Sequence, residues 1–141
     1  MKSGNTKVIA AMILTVVLGL LFSINVANAQ SPLNVSVGVP STVDIGVPFL
    51  MSITVTNKTA SQITFSKVAA GYLLQDLKIK GPYEVDTSQH NVPAHGTITF
   101  NVNFTIHYSS GAIVPVTVVL AQNSYDKDSI IGAGMAGVKV K

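Results

Sequence analysis

The sequence predicts an all-β domain, an immunoglobulin-like sandwich of about seven antiparallel strands, preceded by an N-terminal signal helix. Apolar and polar residues alternate along several segments of the chain, which is the period of a strand with one buried face. Short polar turns separate these segments. Because a sheet with one apolar face needs a second layer to cover it, we expect two packed sheets, with a small closed barrel as the alternative.

The first 29 residues have the composition of a cleavable secretory leader. A short polar start with two lysines runs into an apolar stretch over residues 8–24, and the leader ends on Ala27 and Ala29. Small residues at these two positions form the pattern that signal peptidase accepts, so cleavage is predicted before Gln30. An uncleaved membrane anchor is the alternative, since the apolar stretch is nearly long enough to span a bilayer.

Two regions are therefore expected, a signal peptide over residues 1–29 and one sandwich domain over residues 30–141. Removing 29 of 141 residues leaves 112, which is the size of a single domain. Seven lysines against six acidic residues leave the domain nearly neutral, so its charge does not suggest nucleic-acid binding. The chain has no cysteine, so its stability must come from apolar burial and strand pairing without disulfides.

The first half of the domain contains three well-patterned strands and one ambiguous region. The predicted strands cover residues 33–39, 47–56 and 62–68. Residues 72–77 fit either a short strand or one helical turn. Gly81 and Pro82 form a dipeptide that is typical of a turn.

The second half contains the longest alternating segment. The predicted strands cover residues 83–86, 97–107, 113–121 and 131–141, and residues 89–96 are predicted to form a loop. The phenylalanines Phe49, Phe65, Phe100 and Phe104 are predicted to point into the core. Gly132, Gly134 and Gly137 indicate a bulge or a close approach of another backbone within the last strand.

The order of these features resembles a known type of prokaryotic surface domain. A first strand ends at Pro40, the second begins after Gly46 and ends at Asn57, and residues 92–97 lead into the long alternating strand. This layout resembles prokaryotic immunoglobulin-like modules of the CARDB type. The resemblance implies a β-sandwich with a surface role and no catalytic residues.

Two groups of residues are candidate binding or modification sites. The sequons that begin at Asn34, Asn57 and Asn103 are candidate glycan acceptors, because alternation or a turn places each asparagine away from the core. The chain has no tryptophan, so its tyrosines are the candidates for stacking on a ligand. They are Tyr72, Tyr83, Tyr108 and Tyr125.

Other combinations of residues are weaker candidates for chemistry. His90 and His95 share a predicted loop, whereas His107 lies at the far end of a strand, so we expect solvated histidines and no metal site. Asp126 and Asp128 resemble part of a calcium loop, but a lysine between them favours a polar hairpin tip. Glu84 and Asp86 would share a strand face, which more often reflects a solvated surface than a hydrolase site.

We therefore expect a non-enzymatic exported β-sandwich that serves as a structural or adhesive module of the cell envelope or extracellular space. A secreted protein that binds a carbohydrate or another small ligand is the alternative. Expected partners are envelope or extracellular proteins or glycans, without nucleic acid, and with membrane contact only through an uncleaved leader. No cofactor is expected, and the expected location is secreted, periplasmic or on the cell surface.

Overall fold

A computed structural model describes residues 31–108, 113–123 and 129–141, and these residues contain strands and no helix. The predicted all-β class is therefore confirmed. The predicted signal helix and the cleavage position between Ala29 and Gln30 lie outside the described residues. Within the described part, no helix is long and apolar enough to cross a membrane.

Ten strands form the described part of the chain. In order they are β1 (Leu33–Gly38), β2 (Thr42–Val43), β3 (Phe49–Asn57), β4 (Ile63–Phe65), β5 (Lys67–Leu73), β6 (Ile79–Asp86), β7 (His90–Val92), β8 (Thr97–Phe104), β9 (Ile113–Ala121) and β10 (Ile130–Val140).

The strands form two main sheets and one small sheet. The first has the order β1-β3-β8, the second has the order β2-β10-β9-β5-β6, and β4 pairs with β7. All pairs are antiparallel except the short parallel pair between β2 and β10. The prediction of about seven antiparallel strands is therefore too low, because short pairs form within segments that have no clear alternation.

Alternating apolar residues of both large sheets fill the space between them. In β3, for example, Met51, Ile53 and Val55 are fully buried, while the intervening residues are only partly buried. Three of the four predicted core phenylalanines, Phe49, Phe65 and Phe104, are buried, and Phe100 is partly buried against the core. The largest fully buried side chains are Tyr72, Phe65, Leu33, Met51, Ile53, Ile106 and Leu120.

One side of the sandwich is closed by a close approach of β1 to β10. A β-carbon placed on Gly134 would lie 2.7 Å from the Val35 carbonyl oxygen, and one on Gly132 would lie 2.9 Å from the Val35 side chain. The pairing of β10 with β9 also shifts register between Ile130 and Gly132. The glycines of β10 therefore mark both a close approach and an irregularity, as their positions predicted.

The structure corrects several of the predicted boundaries. Gly81 and Pro82 lie within β6 and not in a turn, because β5 pairs with residues on both sides of them. The predicted loop over residues 89–96 contains β7, which pairs with β4. Residues 72–77 divide between the end of β5 and a turn. Val47, predicted to begin the apolar face of the second strand, is exposed and precedes β3.

Candidate functional site

The side of the sandwich opposite β1 and β10 is open and forms a groove between β6 and β8. The groove has a volume of about 500 Å³. Its lining residues are Pro48, Tyr83, Glu84, Val85, Asn103, Phe104, Thr105 and His107. Aromatic rings therefore line this open groove together with a carboxylate, a hydroxyl and an imidazole.

Three of the four tyrosines predicted as stacking residues form one cluster, and one of them, Tyr83, lines the groove. The Tyr72 ring lies 6.4 Å from the rings of both Tyr83 and Tyr108, between ring centroids. Phe104 completes the cluster, at 5.9 Å from Tyr72 and 6.2 Å from Tyr83. The Lys80 amine lies 4.3 Å from the centre of the Tyr108 ring, within the range of a cation–π contact.

Only part of this cluster can contact a ligand. Tyr83 and Tyr108 are each 43% exposed, whereas Tyr72 is 1% exposed. The prediction that Tyr72 stacks on a ligand is wrong for the folded chain, because its ring packs in the core and supports the other two. Burial raises the pKa of Tyr72, and the hydrogen bond from the His107 amide to its hydroxyl only partly offsets this effect. Tyr125 lies outside the described residues.

The three sequons differ sharply in accessibility. Asn34 and Asn103 are exposed on β1 and β8, so both remain candidate acceptors. Asn57 is 1% exposed, and its amide nitrogen donates hydrogen bonds to the carbonyls of Ser61 (2.8 Å) and Val92 (3.1 Å). The prediction that Asn57 is accessible to a glycan is therefore wrong for the folded chain. Its side chain joins the end of β3 to β7.

Asp86, Ser88 and His90 form a cluster at the β6–β7 turn that resembles a catalytic triad in composition only. The His90 Nε2 atom lies 2.7 Å from the Asp86 carboxylate and 3.2 Å from the Ser88 hydroxyl. The Ser88 hydroxyl itself donates to Asp86 at 2.6 Å. A triad histidine contacts its carboxylate and its serine through different nitrogens, so this arrangement cannot activate Ser88.

The same cluster shows that His90 has a structural role. Its ring stacks on Phe100 at 4.2 Å and on Phe65 at 5.2 Å, between ring centroids, and only 17% of its side chain is exposed. The prediction of a solvated loop residue is therefore wrong for His90. Burial alone would raise the pKa of Asp86, but hydrogen bonds from Ser88 and His90 outweigh it and lower the pKa of Asp86 below its usual 3.8.

The remaining candidate residues for catalysis or metal binding do not come together in one site. Glu84 pairs with Lys67 at 3.7 Å, whereas Asp86 pairs with His90, so the two carboxylates of β6 do not form one site. His95 is exposed, as predicted. Among the described residues there is no group of three or more side chains that could hold a metal ion. Asp126 and Asp128 lie outside these residues.

Sequence reasoning missed the groove itself, although it named the tyrosines. Pro48 and Asn103 are both far from Tyr83 in the chain, and the strand order that brings them to Tyr83 is not encoded in local periodicity. The one available signal was the recurrence of tyrosines next to predicted turns, at Tyr72, Tyr83 and Tyr108.

Comparison of the sequence with protein-family models and with curated proteins found no match. The structure is similar to several solved structures of low sequence identity. One is the CARDB domain of a Pyrococcus furiosus protein, with 10% identity and a TM-score of 0.49 over 77% of this chain and 94% of that chain. A structure of that domain in complex with di-metal ions has a TM-score of 0.48 and 10% identity, over 79% of this chain and 90% of that one.

Similarity extends to domains of other proteins. An alkylpurine DNA glycosylase from Pseudomonas fluorescens has a TM-score of 0.50 and 10% identity, over 80% of this chain but only 32% of that chain. A superoxide reductase from Ignicoccus hospitalis has a TM-score of 0.46 and 11% identity, over 87% of this chain and 90% of that chain. Each similarity concerns the fold alone. The structure is similar to the CARDB fold, which is the type of domain that the order of features in the sequence resembles.

Proposed function

We propose that this chain is an exported, non-enzymatic β-sandwich that acts as an adhesive module of the cell envelope or extracellular space, and that it contacts its partner through the groove between β6 and β8. The observation that carries this proposal is the pair of half-exposed tyrosines that pack on the buried Tyr72: Tyr83, which lines the groove, and Tyr108, which follows the groove residue His107. Tyrosine supplies a large rigid contact area together with a hydroxyl, and it is enriched at interfaces for this reason.

The surroundings of these rings support a binding role. Thr105 and His107 line the groove and offer hydrogen-bonding groups beside the aromatic surface. The Asp86, Ser88 and His90 geometry supports a non-enzymatic role, because the Asp86 carboxylate accepts the hydrogen bond of the Ser88 hydroxyl and also contacts His90 Nε2, the nitrogen that faces the serine. Export is supported by the composition of residues 1–29.

Binding to washed cell envelopes of the producing organism tests the adhesive role. The full-length sequence is expressed so that the cell processes it, and the purified protein is labelled and titrated onto the envelopes. Tyr83→Ala and Tyr108→Ala should each weaken binding about tenfold, the effect of about 1.4 kcal/mol from a truncated interfacial ring. Tyr83→Phe and Tyr108→Phe keep the rings and should bind within a few-fold of the unmodified protein.

Thr99→Ala, on the outer face of β8, serves as the surface control. Saturable binding that is equally strong in both alanine variants would refute the role of the groove, and the absence of envelope binding would refute the adhesive role. N-terminal sequencing of the exported protein tests the processing step. The expected first residue is Gln30, and an intact leader on the exported protein would contradict cleavage.

Carbohydrate binding is the second candidate, and the exposed rings of Tyr83 and Tyr108 are the observation that favours it. Sugar rings stack on aromatic faces while neighbouring polar groups bond their hydroxyls, and Thr105 and His107 supply such groups. A glycan array separates the two candidates. Glycan binding that Tyr83→Ala abolishes would assign the groove to a carbohydrate, whereas an array without binding would leave a protein partner.

A further inference from the structure

Strand β8 has an open hydrogen-bonding edge next to the groove. The strand order makes β8 a terminal strand of its sheet, since it pairs only with β3 among the described strands. Open edges invite pairing with other chains, so proteins usually shorten, bend, charge or cover them. An edge strand that lacks all of these protections can therefore pair with a strand of another chain.

The other terminal strands of the two main sheets are protected. Strand β1 is covered by β10, whose Gly134 lies against the Val35 carbonyl. Strand β2 has only two residues. Strand β6 contains Pro82, carries charged side chains and has two register irregularities. In contrast, β8 pairs with β3 in unbroken register over eight residues, and its sequence contains no proline and no charged residue.

The register shows which main-chain groups of β8 are free. The Asn57 amide donates to the Gly96 carbonyl at 2.9 Å, and this pair continues the register of β3 and β8. Hydrogen-bonded pairs alternate with non-bonded pairs along an antiparallel ladder. Val102 and Phe104 therefore bond to β3, whereas the amide and carbonyl groups of Asn101 and Asn103 point away from β3 to the open edge.

This edge lies directly beside the tyrosine groove. The groove is lined on one side by Asn103 and Phe104 of β8 and on the other side by Tyr83 and Val85 of β6. A strand added to β8 would continue the three-stranded sheet, so every second side chain of that strand would point into the groove. The intervening side chains would lie on the outer face beside Asn101 and Asn103, which are exposed and polar.

We propose that β8 binds an extended peptide segment of a partner protein by strand addition at Asn101 and Asn103, with apolar or aromatic side chains at every second position of the peptide. This inference rests on the proposed function, because it names how the adhesive module would hold its partner. Main-chain hydrogen bonds would supply affinity and the groove would supply specificity. A single extended segment fits better than a second copy, because a second β8 would bring its own β6 wall against Tyr83.

Amide hydrogen exchange of the unbound protein tests the edge itself. The amides of Asn101 and Asn103 should exchange rapidly, whereas those of Val102 and Phe104 should be protected by β3. Protection of all four amides in the unbound protein would overturn the proposal, because the edge would then already be paired.

A phage-displayed library of random linear peptides tests the ligand. Selected peptides should show apolar residues at alternate positions, and they should protect the Asn101 and Asn103 amides from exchange. Asn103→Pro removes the edge amide without removing a bond to β3, and it should weaken binding about tenfold or more. Asn103→Ala keeps that amide and should bind within a few-fold of the unmodified protein.

N-methylation of alternate amides in a selected peptide keeps the test independent of the stability of the proline variant. One of the two alternating patterns should abolish binding and the other should not, because only one faces β8. The proposal is overturned if no peptide is enriched, if the selected peptides bind Asn103→Pro normally, or if both methylation patterns are tolerated. Self-association that Asn103→Pro abolishes would assign the edge to a second copy and would also overturn it.

These results separate this inference from the proposed function. Envelope binding that depends on Tyr83 but not on the Asn103 amide would leave the adhesive module intact and refute strand addition. Loss of envelope binding in Tyr83→Ala together with Asn103→Pro, and retention in Asn103→Ala, would support both.

Discussion

Replacement of the buried Asn57 is expected to destabilise the domain more than replacement of any exposed asparagine. The Asn57 side chain makes four hydrogen bonds: it donates to the Ser61 and Val92 carbonyls and accepts from the amide and hydroxyl of Thr59. The Thr59 hydroxyl also lies 2.9 Å from the Ser61 carbonyl, so these two groups keep each other as partners when the Asn57 side chain is removed. The Thr59 amide and the Val92 carbonyl lose theirs, and two bonds at about 1 kcal/mol each give a loss of about 2 kcal/mol in the free energy of unfolding for Asn57→Ala.

Urea denaturation measures this loss as a lower midpoint with an unchanged slope. Asn34→Ala is the matched control, because Asn34 also begins a sequon but is exposed, and its effect should stay within about 0.5 kcal/mol. Asn57→Asp preserves size and the acceptors for Thr59, yet places a carboxylate against the Val92 carbonyl, so it should be at least as destabilising at pH 7. Equal effects of Asn57→Ala and Asn34→Ala would refute the assignment of Asn57 as the link between β3 and β7.

Three further predictions concern charge, close packing and a buried hydroxyl. Because the pKa of Asp86 is lower in the folded chain, its stabilisation is present at neutral pH and is lost as the pH falls through the folded pKa. Asp86→Asn should therefore cost about 1 kcal/mol at pH 7 and progressively less towards pH about 2, while the exposed Asp76→Asn should have little effect at either pH. Gly134→Ala should cost about 2 kcal/mol, because the new β-carbon would overlap the Val35 carbonyl. Thr117→Val should stabilise the domain by about 1 kcal/mol, because the buried Thr117 hydroxyl has no hydrogen-bond partner among the described residues.

Urea denaturation at two pH values checks the first of these predictions, and denaturation at neutral pH checks the others. A constant difference between Asp86→Asn and the unmodified protein across pH would contradict the lowered pKa. For the glycine, Gly38→Ala is the control, since a β-carbon there would meet ordinary contacts at 3.5 Å, and equal losses at Gly38 and Gly134 would contradict the close approach. A destabilised Thr117→Val would mean that the hydroxyl has a partner.

Alternation along the chain predicted the strands that carry the core, because side-chain direction in a strand is a local property with a period of two. Strands β1, β3, β8 and β9 lie within or close to their predicted segments. The same reasoning placed Val47 in the core, where the chain in fact leaves the strand before Phe49. Periodicity predicts which face of the sheet a residue lies on, but it does not predict the residue at which strand pairing ends.

The same distinction between local sequence pattern and tertiary contacts applies to the candidate residues. Asn34 and Asn103 are exposed as their alternation predicted, whereas Asn57 was predicted to lie in a turn but continues the inward side of β3, where tertiary hydrogen bonds satisfy its buried amide. Tyr72 and Tyr83 look alike in sequence, yet one is buried and the other is half-exposed. The difference arises because β5 lies inside its sheet and β6 lies at its edge.

By itself, the sequence determined an all-β domain without disulfides, the inward faces of its main strands and the glycine positions at which backbones come close. Each of these properties follows from residue type and from a period of two along the chain. Only the tertiary structure decided which strands are terminal, that β1 closes against β10 and that the opposite side stays open between β6 and β8. Strand order depends on contacts between residues far apart in the chain, so the groove with Tyr83, and the free edge at Asn103, exist only once the sheets have assembled.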